Sequence, residues 1–433
     1  MDECSHTLWT VASTVDPVLL CCELCRAMKL SGKLSIAAFF LFLVVLSLSG
    51  SGQNRSTSRR LLSPEIENAG GLANFFKALR DVSSGRRIEP VRVMHFGDSH
   101  VAADVLTADI RRNLQAEFGD GGAGYIVPNN PMNTRRRGVV SGATSGWQVE
   151  GIGGRIEHDG IYGLAGIALA TSLANERIWL EASANHFEIY YVHEPRGGKI
   201  NVTIDGADVL DAPLSLDSPR TTTECLTVDN PADTTHRLEI HTLTTGKARV
   251  LGIVAERLVP GVSYDVLGIN GARLSRIRGW NRTAFAASIR QGKPDLIILA
   301  YGTNEVTDAG WTPSSYERLL RTTIKQLREA APEAAILIFA PPDRADLPIA
   351  LNRMPALIEA ERSAALKSNC AFWSASDAMG GLGSMNTWVS RGLGQADKVH
   401  LTRQGYVRLG DAFFQELMRA YQRSLPAARV SPR

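Results

Sequence analysis

Residues 91–100 read VRVMHFGDSH, and this stretch decides the fold. Its first part, Val91 to Phe96, is mostly apolar and rich in residues that favour β-structure, which predicts a strand that ends at Gly97. The next part, Val101 to Phe118, carries apolar side chains at helical spacing and predicts a helix. A buried strand that leads directly into a helix is typical of an α/β fold.

The same alternation returns in the second half of the chain. Continuous apolar strands are predicted at Tyr264–Ile269, Leu296–Tyr301 and Ala335–Ala340, with helical stretches between them. Cys370–Ser376 predicts a further strand, and Thr402–Arg423 predicts a closing helix. Strands without polar alternation are buried on both faces, so the sequence predicts a parallel sheet between two layers of helices.

Between these two parts the sequence pattern changes. From about Gly138 to Pro260, apolar and polar residues alternate with a period of two, and glycine-rich turns separate the runs. Phe187, Ile189 and Tyr191 are one example of this alternation. The pattern predicts an antiparallel β-sandwich that is inserted into the α/β domain.

Composition narrows the class of protein. The 433 residues are 44% hydrophobic and 21% charged, which is typical of globular proteins. A formal charge of +3 from 47 basic and 44 acidic side chains leaves no basic surface of the kind that nucleic acids need, so no nucleic-acid partner is expected.

Motifs for cofactors and metals are weak in this chain. Gly119–Gly124 matches G-x-G-x-x-G but follows a predicted helix instead of a strand, so no dinucleotide site is expected. Cys22 and Cys25 form a C-x-x-C without a second pair at zinc spacing. We therefore expect neither a cofactor nor a metal. Cys225 and Cys370 are predicted to be free thiols, with a disulfide between them as the alternative.

The beginning of the chain carries a targeting signal. Residues 36–46 (IAAFFLFLVVL) are apolar, Lys29 and Lys33 precede them, and small residues follow. This pattern is typical of a secretory signal peptide, with a retained membrane anchor as the alternative. Met28 would place the two lysines in a short basic region and is the expected true start. The protein is therefore expected to be exported to the periplasm or cell envelope, soluble or anchored.

Ser99 is the first candidate for chemistry. It follows the first predicted strand directly, and ligands of open α/β sheets bind at such strand ends. A serine that precedes a helix is also a common helix cap, so the motif needs a base nearby to count as a nucleophile.

Asp397 and His400 supply that base near the end of the chain. An acid three residues before a histidine can fold back on the imidazole, fix its tautomer and leave the other nitrogen to take the proton of Ser99.

The third element is an oxyanion hole. Asn304 follows the strand Leu296–Tyr301, and Gly271 follows the strand that begins near Tyr264. Both could donate to a developing oxyanion, although turns use the same residue types.

These four blocks, in this order, resemble those of the SGNH or GDSL hydrolase superfamily. The resemblance implies a flavodoxin-like three-layer domain, a catalytic triad of Ser99, Asp397 and His400, and an oxyanion hole formed by Ser99, Gly271 and Asn304. It covers residues 91–135 and 260–425.

Within the superfamily, the chain looks like the bacterial peptidoglycan O-acetylesterases. The strings Gly97–His100 and Gly302–Glu305, the export signal and the inserted β-module carry this resemblance. One departure is Glu305, which stands where the superfamily has Asp, and we expect little chemical consequence because Asn304 is the donor.

The resemblance implies an exported serine esterase that removes O-acetyl groups from a cell-wall or other extracellular polysaccharide, with peptidoglycan as the expected substrate. A polysaccharide O-acetyltransferase with the same triad is one alternative, and a non-catalytic glycan-binding or assembly protein is another. The oligomeric state and the acyl group stay open. The predicted segments are a leader (1–52), a linker with a short helix (53–90), the first hydrolase part (91–137), the inserted carbohydrate-binding-like sandwich (138–259), the second hydrolase part (260–425) and a tail (426–433).

Overall fold

The structure is a computed structural model that describes residues 64–425. The predicted signal segment, Met28, the cysteines of the leader and the tail lie outside the described residues. Within 64–425, no helix combines the length and the apolar character that crossing a membrane requires.

The described residues form fifteen strands in two sheets. The strands are β1 Val91–Gly97, β2 Gly122–Ile126, β3 Val140–Ala143, β4 Gln148–Gly151, β5 Ile167–Thr171, β6 Arg177–His193, β7 Lys199–Ile204, β8 Ala207–Asp208, β9 Leu214–Ser215, β10 Thr222–Thr242, β11 Ala248–Glu256, β12 Val262–Gly268, β13 Leu296–Ala300, β14 Ala335–Ala340 and β15 Ala371–Ser374.

Nine α-helices accompany these strands within the described residues. They are α1 Ala73–Ser83, α2 Ser99–Ala102, α3 Leu106–Phe118, α4 Arg282–Gly292, α5 Pro313–Ala330, α6 Pro348–Lys367, α7 Ala375–Met379, α8 Ser384–Ser390 and α9 Arg403–Arg423. Short 3-10 helices lie at Ala69–Leu72, Pro131–Asn133, Leu274–Gly279 and Glu305–Thr307.

The first sheet is parallel and has the strand order β12-β1-β13-β14-β15. If these five strands are numbered by their order in the chain, the sheet reads 2-1-3-4-5, the flavodoxin-like order. Gly97 pairs with Gly268 on one side and with Ala300 on the other, so three neighbouring strands end at the same level. Their carboxyl ends bring the following loops together at the position where the strand order reverses, which is where such sheets bind ligands.

Alternate residues of the parallel strands enter two different cores. Met94 and Phe96 pack with α4, α5 and α6 on one face of the sheet. Val91 and Val93 pack with α1, α3 and α9 on the other face. This period of two, with both faces covered by helices, explains the uninterrupted apolar runs and confirms the predicted three-layer α/β class.

The second sheet is antiparallel and joins ten strands through the long β6 and β10, which have 17 and 21 residues. Its core contains Ile178, Phe187, Ile189 and Val202. The edge strand β2 pairs with β11 and belongs to this sheet, although the sequence assigned its residues to the first hydrolase part. The domain bounds given above remain predictions.

The glycine run before β2 has a packing role. A side chain at Gly122 would meet the main chain of Glu256 at 2.7 Å, and one at Gly121 would meet the main chain of Val262 at 2.8 Å. Glycine therefore lets β2 approach β11 and β12 closely. The run connects α3 to β2.

One predicted helix is interrupted. Residues 101–118 form the end of α2 and then α3, with Asp104 between them at a φ of 43°. Asp104 is fully buried and accepts hydrogen bonds from the Thr107 hydroxyl, the Arg111 guanidinium and the Arg137 backbone N–H. These bonds hold the left-handed turn, which no helical periodicity in the sequence indicates.

Candidate active site

Ser99 lies where β1 passes into α2. Asp98 is the N-cap of this short helix, and its carboxylate accepts the backbone N–H of His100 at 3.0 Å. Gly97 allows the turn to sit against the next strand, because a side chain there would meet the Ala300 carbonyl oxygen at 2.7 Å. The backbone N–H of Ser99 lies in the first turn of the helix, where N–H groups have no acceptor within the helix.

His400 meets Ser99 across the sheet edge. Its Nε2 is 2.8 Å from Ser99 Oγ, and its Nδ1 is 2.7 Å from Asp397 Oδ2. Asp397 Oδ1 accepts the backbone N–H groups of Val399 and His400, each at 3.0 Å. The structure therefore assembles the three predicted catalytic residues in the geometry of a nucleophile, a base and an orienting acid.

The charge of Asp397 supports this arrangement. Burial alone would raise the pKa of this carboxyl, but the hydrogen bonds from His400 and from the backbone outweigh burial and lower the pKa. An ionised Asp397 favours the imidazole tautomer with the proton on Nδ1. Nε2 is then the nitrogen that can accept the proton of Ser99.

Gly271 and Asn304 lie on the two loops beside Ser99. Gly271 has a φ of 72°, a conformation that glycine adopts without strain, and a side chain there would meet no atom within 4 Å. Asn304 Nδ2 donates to the Ala272 carbonyl oxygen at 2.9 Å, which ties the two loops together. The amide has a second hydrogen that can serve an oxyanion.

Glu305 has a role that the sequence analysis missed. Its side chain is 3% exposed, its Oε1 accepts the Leu274 backbone N–H at 2.7 Å, and its Oε2 accepts the Gly302 backbone N–H at 3.0 Å. These bonds give Glu305 a place in the structure of the loops, and the expectation of little chemical consequence stays a prediction. An acid that directly follows Asn304, in the loop after a buried strand, was the available signal.

Three buried carboxyl groups lie behind the site. Burial raises the pKa of Asp98 to about 6 and that of Glu305 to about 7. Burial also raises the pKa of Glu361 well above its ordinary value, and Glu361 Oε1 accepts the Tyr316 hydroxyl at 3.0 Å. Each of these groups raises the cost of ionising its neighbours.

Two histidines flank the nucleophile and are buried. His95 Nδ1 lies 2.7 Å from the Tyr264 hydroxyl, and His100 Nδ1 lies 2.9 Å from the Tyr406 hydroxyl. Burial lowers the pKa of each to about 3, so both imidazoles are neutral. The ring of His100 packs 5.4 Å from that of His400 and supports it from behind.

Other side chains that could have formed a site are placed elsewhere. Trp147, Tyr190 and Tyr191 are buried in the cores, so they offer no exposed platform for sugar stacking. Cys225 and Cys370 are free thiols. Among residues 64–425, no cluster of three or more His, Cys, Asp or Glu side chains has the arrangement of a metal site.

Comparisons with known proteins indicate the class of hydrolase. Residues 234–408 match the GDSL-like lipase/acylhydrolase family. A solved structure of a peptidoglycan O-acetylesterase is 27% identical, with a TM-score of 0.68, over 81% of this chain and 96% of that one. The chain carries an SGNH/GDSL hydrolase domain. It is accordingly a carboxylic ester hydrolase, as the sequence predicted.

More distant structures include two family 2 carbohydrate esterases. The enzyme from Cellvibrio japonicus is 14% identical over 66% of this chain and 98% of its own, with a TM-score of 0.29. An active-site mutant from Clostridium thermocellum is 10% identical over 58% of this chain and 94% of its own, with a TM-score of 0.28. These likenesses are too distant to support an argument about this chain. No curated protein matches the chain significantly.

The SGNH/GDSL match begins within β10 and includes Gly271, Asn304, Asp397 and His400. It stops short of Ser99, because most of the antiparallel sheet separates the nucleophile from the other blocks in the sequence. The parallel pairing of β1 with β12 and β13 brings Ser99 back beside them.

Proposed function

We propose that this SGNH/GDSL hydrolase is an exported esterase that removes O-acetyl groups from peptidoglycan through an acyl-serine intermediate. The observation that carries the chemistry is the Ser99–His400–Asp397 arrangement, with 2.8 Å and 2.7 Å between the bonded atoms. The substrate part of the proposal rests on the 27% identity with a peptidoglycan O-acetylesterase along most of both chains.

The reaction begins when His400 Nε2 removes the proton of Ser99 and Ser99 Oγ attacks the ester carbonyl carbon. The carbonyl oxygen becomes an oxyanion, which the backbone N–H groups of Ser99 and Gly271 and the Asn304 amide stabilise. The tetrahedral intermediate collapses when His400 returns the proton to the leaving sugar oxygen. Water, activated by the same imidazole, then attacks the acetyl-serine and releases acetate and free Ser99.

The openness of the site fits a polymeric substrate. The His400 side chain is 34% exposed and that of Asp397 is 47% exposed. A glycan chain can lie across such a surface and present one acetylated hydroxyl to Ser99, whereas a deep pocket would admit only chain ends or small esters.

Acetate release tests this proposal. Purified protein should release acetate from an aryl acetate and from O-acetylated peptidoglycan, and Ser99→Ala should reduce both rates to background. Ser390→Ala is the control, since Ser390 is an exposed serine whose hydroxyl donates to the nearby Thr387 carbonyl. Release from the aryl ester alone would contradict the peptidoglycan substrate and leave the triad intact. Transfer of acetyl to an added acceptor sugar, without release of acetate, would indicate the transferase.

Export is tested separately, because the apolar segment 36–46 lies outside the described residues. Cell fractionation of the full chain should place the protein in the cell envelope or the periplasm. Removal of residues 36–46 should leave it in the cytoplasm.

A further inference from the structure

We propose that Glu305 is a positioning residue that fixes the oxyanion loops in their working geometry. The proposal rests on the ester-hydrolase chemistry of the proposed function and not on its polysaccharide substrate. The two oxyanion residues, Gly271 and Asn304, lie on different loops, and the Glu305 carboxylate spans those loops.

Each carboxylate oxygen holds one loop. Oε1 accepts the backbone N–H of Leu274, three residues after Gly271, at 2.7 Å. Oε2 accepts the backbone N–H of Gly302, two residues before Asn304, at 3.0 Å. Asn304 adds a second tie between the same loops through Ala272. Hydrogen bonds of Glu305 and Asn304 thus connect the two loops that carry the predicted oxyanion donors.

The surroundings of Gly302 keep its loop in one place. Gly302 has a φ of 113°, and a side chain there would lie 2.7 Å from Leu357 and 3.0 Å from Glu361 Oε1. The Arg344 guanidinium donates to the Thr303 carbonyl oxygen on the same loop. The Gly302 N–H therefore has a fixed direction, and Glu305 receives it without any movement of the loop.

Both the length of Glu305 and its two acceptor oxygens matter in this position. Aspartate is one methylene shorter, so its two oxygens cannot reach both N–H groups from the same backbone position. Glutamine has the right length but replaces one acceptor oxygen by an NH₂ group, which would face a backbone N–H donor. A buried N–H that loses its acceptor destabilises the folded state, so the loop would shift to satisfy it.

Such a shift acts on the transition state more than on the bound ester. Oxyanion donors contribute only when they lie within hydrogen-bond distance of the oxygen as its charge develops, and a displacement of about 1 Å can cost on the order of 10²-fold in rate. We expect Glu305→Asp and Glu305→Gln to lower kcat by about 10- to 100-fold. The KM for a small ester should change by less than about threefold, because binding of the ground state needs no oxyanion contact.

The experiment uses the full chain and a small aryl acetate. Kinetic constants of wild type, Glu305→Asp and Glu305→Gln are measured, and a fluorophosphonate titrates the fraction of reactive Ser99 in each preparation. Glu361→Gln is the matched control: Glu361 is also a buried acid beside Gly302, and glutamine can still accept the Tyr316 hydroxyl. The expected result is a lower kcat per titrated serine in both Glu305 variants and an unchanged kcat in Glu361→Gln.

Two results would overturn the proposal. One is a kcat per titrated serine within about twofold of wild type in the Glu305 variants. The other is an equal loss of kcat in Glu361→Gln, since that would indicate a general sensitivity to changes of buried acids behind the site. If Glu305→Gln fails to fold, Glu305→Asp alone decides, because it keeps a carboxyl group with two acceptor oxygens. If the wild type cleaves aryl acetate but not O-acetylated peptidoglycan, the result counts against the proposed function and leaves this inference standing.

Discussion

The two oxygens of Asp397 have separate tasks in the triad. Oδ2 bonds to His400 Nδ1, while Oδ1 accepts the two backbone N–H groups that shape the loop before α9. The spacing of three residues makes both tasks local, so the sequence could predict them. Ser99 meets His400 from a position 301 residues away, and only the strand order achieves that contact.

Asp397→Asn should therefore keep the conformation of the loop but prevent His400 from acting as the base. Asparagine Oδ1 can still accept the backbone N–H groups, but its NH₂ would face Nδ1 and favour the imidazole tautomer that carries its proton on Nε2. That nitrogen could no longer accept the Ser99 proton. We expect kcat on an aryl acetate to fall by up to about 10⁴-fold with little change in KM. A loss smaller than about tenfold would show that Asp397 does not orient the imidazole.

Asn304→Ala tests the side-chain donor of the oxyanion hole. The change removes the amide, and with it the bond to the Ala272 carbonyl oxygen. We expect kcat to fall by on the order of 10²- to 10³-fold, as for the loss of one oxyanion donor in other acyl-transfer enzymes. Steady-state kinetics measures the loss, and the thermal midpoint of the variant shows whether the loop tie alone explains it.

At the level of elements, the break between α2 and α3 fixes the direction of the nucleophile helix. Burial alone would raise the pKa of Asp104, but the charges of Arg111 and Arg136 outweigh it, so the pKa of this carboxyl is lowered. An ionised Asp104 holds three donors around one left-handed turn. These bonds connect the turn between α2 and α3 to the Arg137 backbone.

Asp104→Asn should lower the free energy of unfolding by about 3–5 kcal/mol, because it leaves a buried guanidinium without its counter-charge. Asparagine tolerates the left-handed conformation, so the loss reports the charge and not the turn. Asp109→Asn on α3 is the control. Burial and the nearby Asp411 raise the pKa of Asp109 to about 6, so its neutral replacement should cost little. Denaturant unfolding of both variants makes the comparison, and equal losses would contradict the prediction.

For the whole molecule, buried ionisable groups set how stability depends on pH. Burial raises the pKa of Glu305 and of Asp265 to about 7, and raises that of Glu361 well above its ordinary value. The folded state thus holds protons that the unfolded chain has released, and stability rises as the pH falls through these values. Burial lowers the pKa of His95 and of His100 to about 3, which has the opposite effect below about pH 6.5.

The free energy of unfolding should therefore increase as the pH falls from 8.5 to 6.5, and decrease again at lower pH. Urea titrations at a series of pH values measure this curve. Glu361→Gln should weaken the rise, since it removes one of the three groups. A stability that falls steadily from pH 8.5 to 6.5 would contradict the assignment of these acids as proton-holding groups in the folded state.

The sequence by itself determined the class of fold, because apolar runs, their alternation with helical spacing and the polar residues at strand ends are local patterns. It also determined the identity of Ser99, Asp397 and His400 as candidates, since each stands in a short motif with its own chemistry. Tertiary structure decided what depends on distant partners. Glu305 bonds to Leu274, 31 residues away, and to Gly302 three residues before it, so its role follows from two loops that meet only after the parallel sheet forms.

The same reason explains the interruption at Asp104 and the placement of β2. Asp104 needs the Arg137 backbone, 33 residues further along the chain, to hold its turn. The β2 strand pairs with β11, and the strands β3 to β10 lie between the two in the sequence. A local pattern shows which conformation a segment prefers. The tertiary contact that selects one of these conformations forms only when folding brings a distant residue next to the segment.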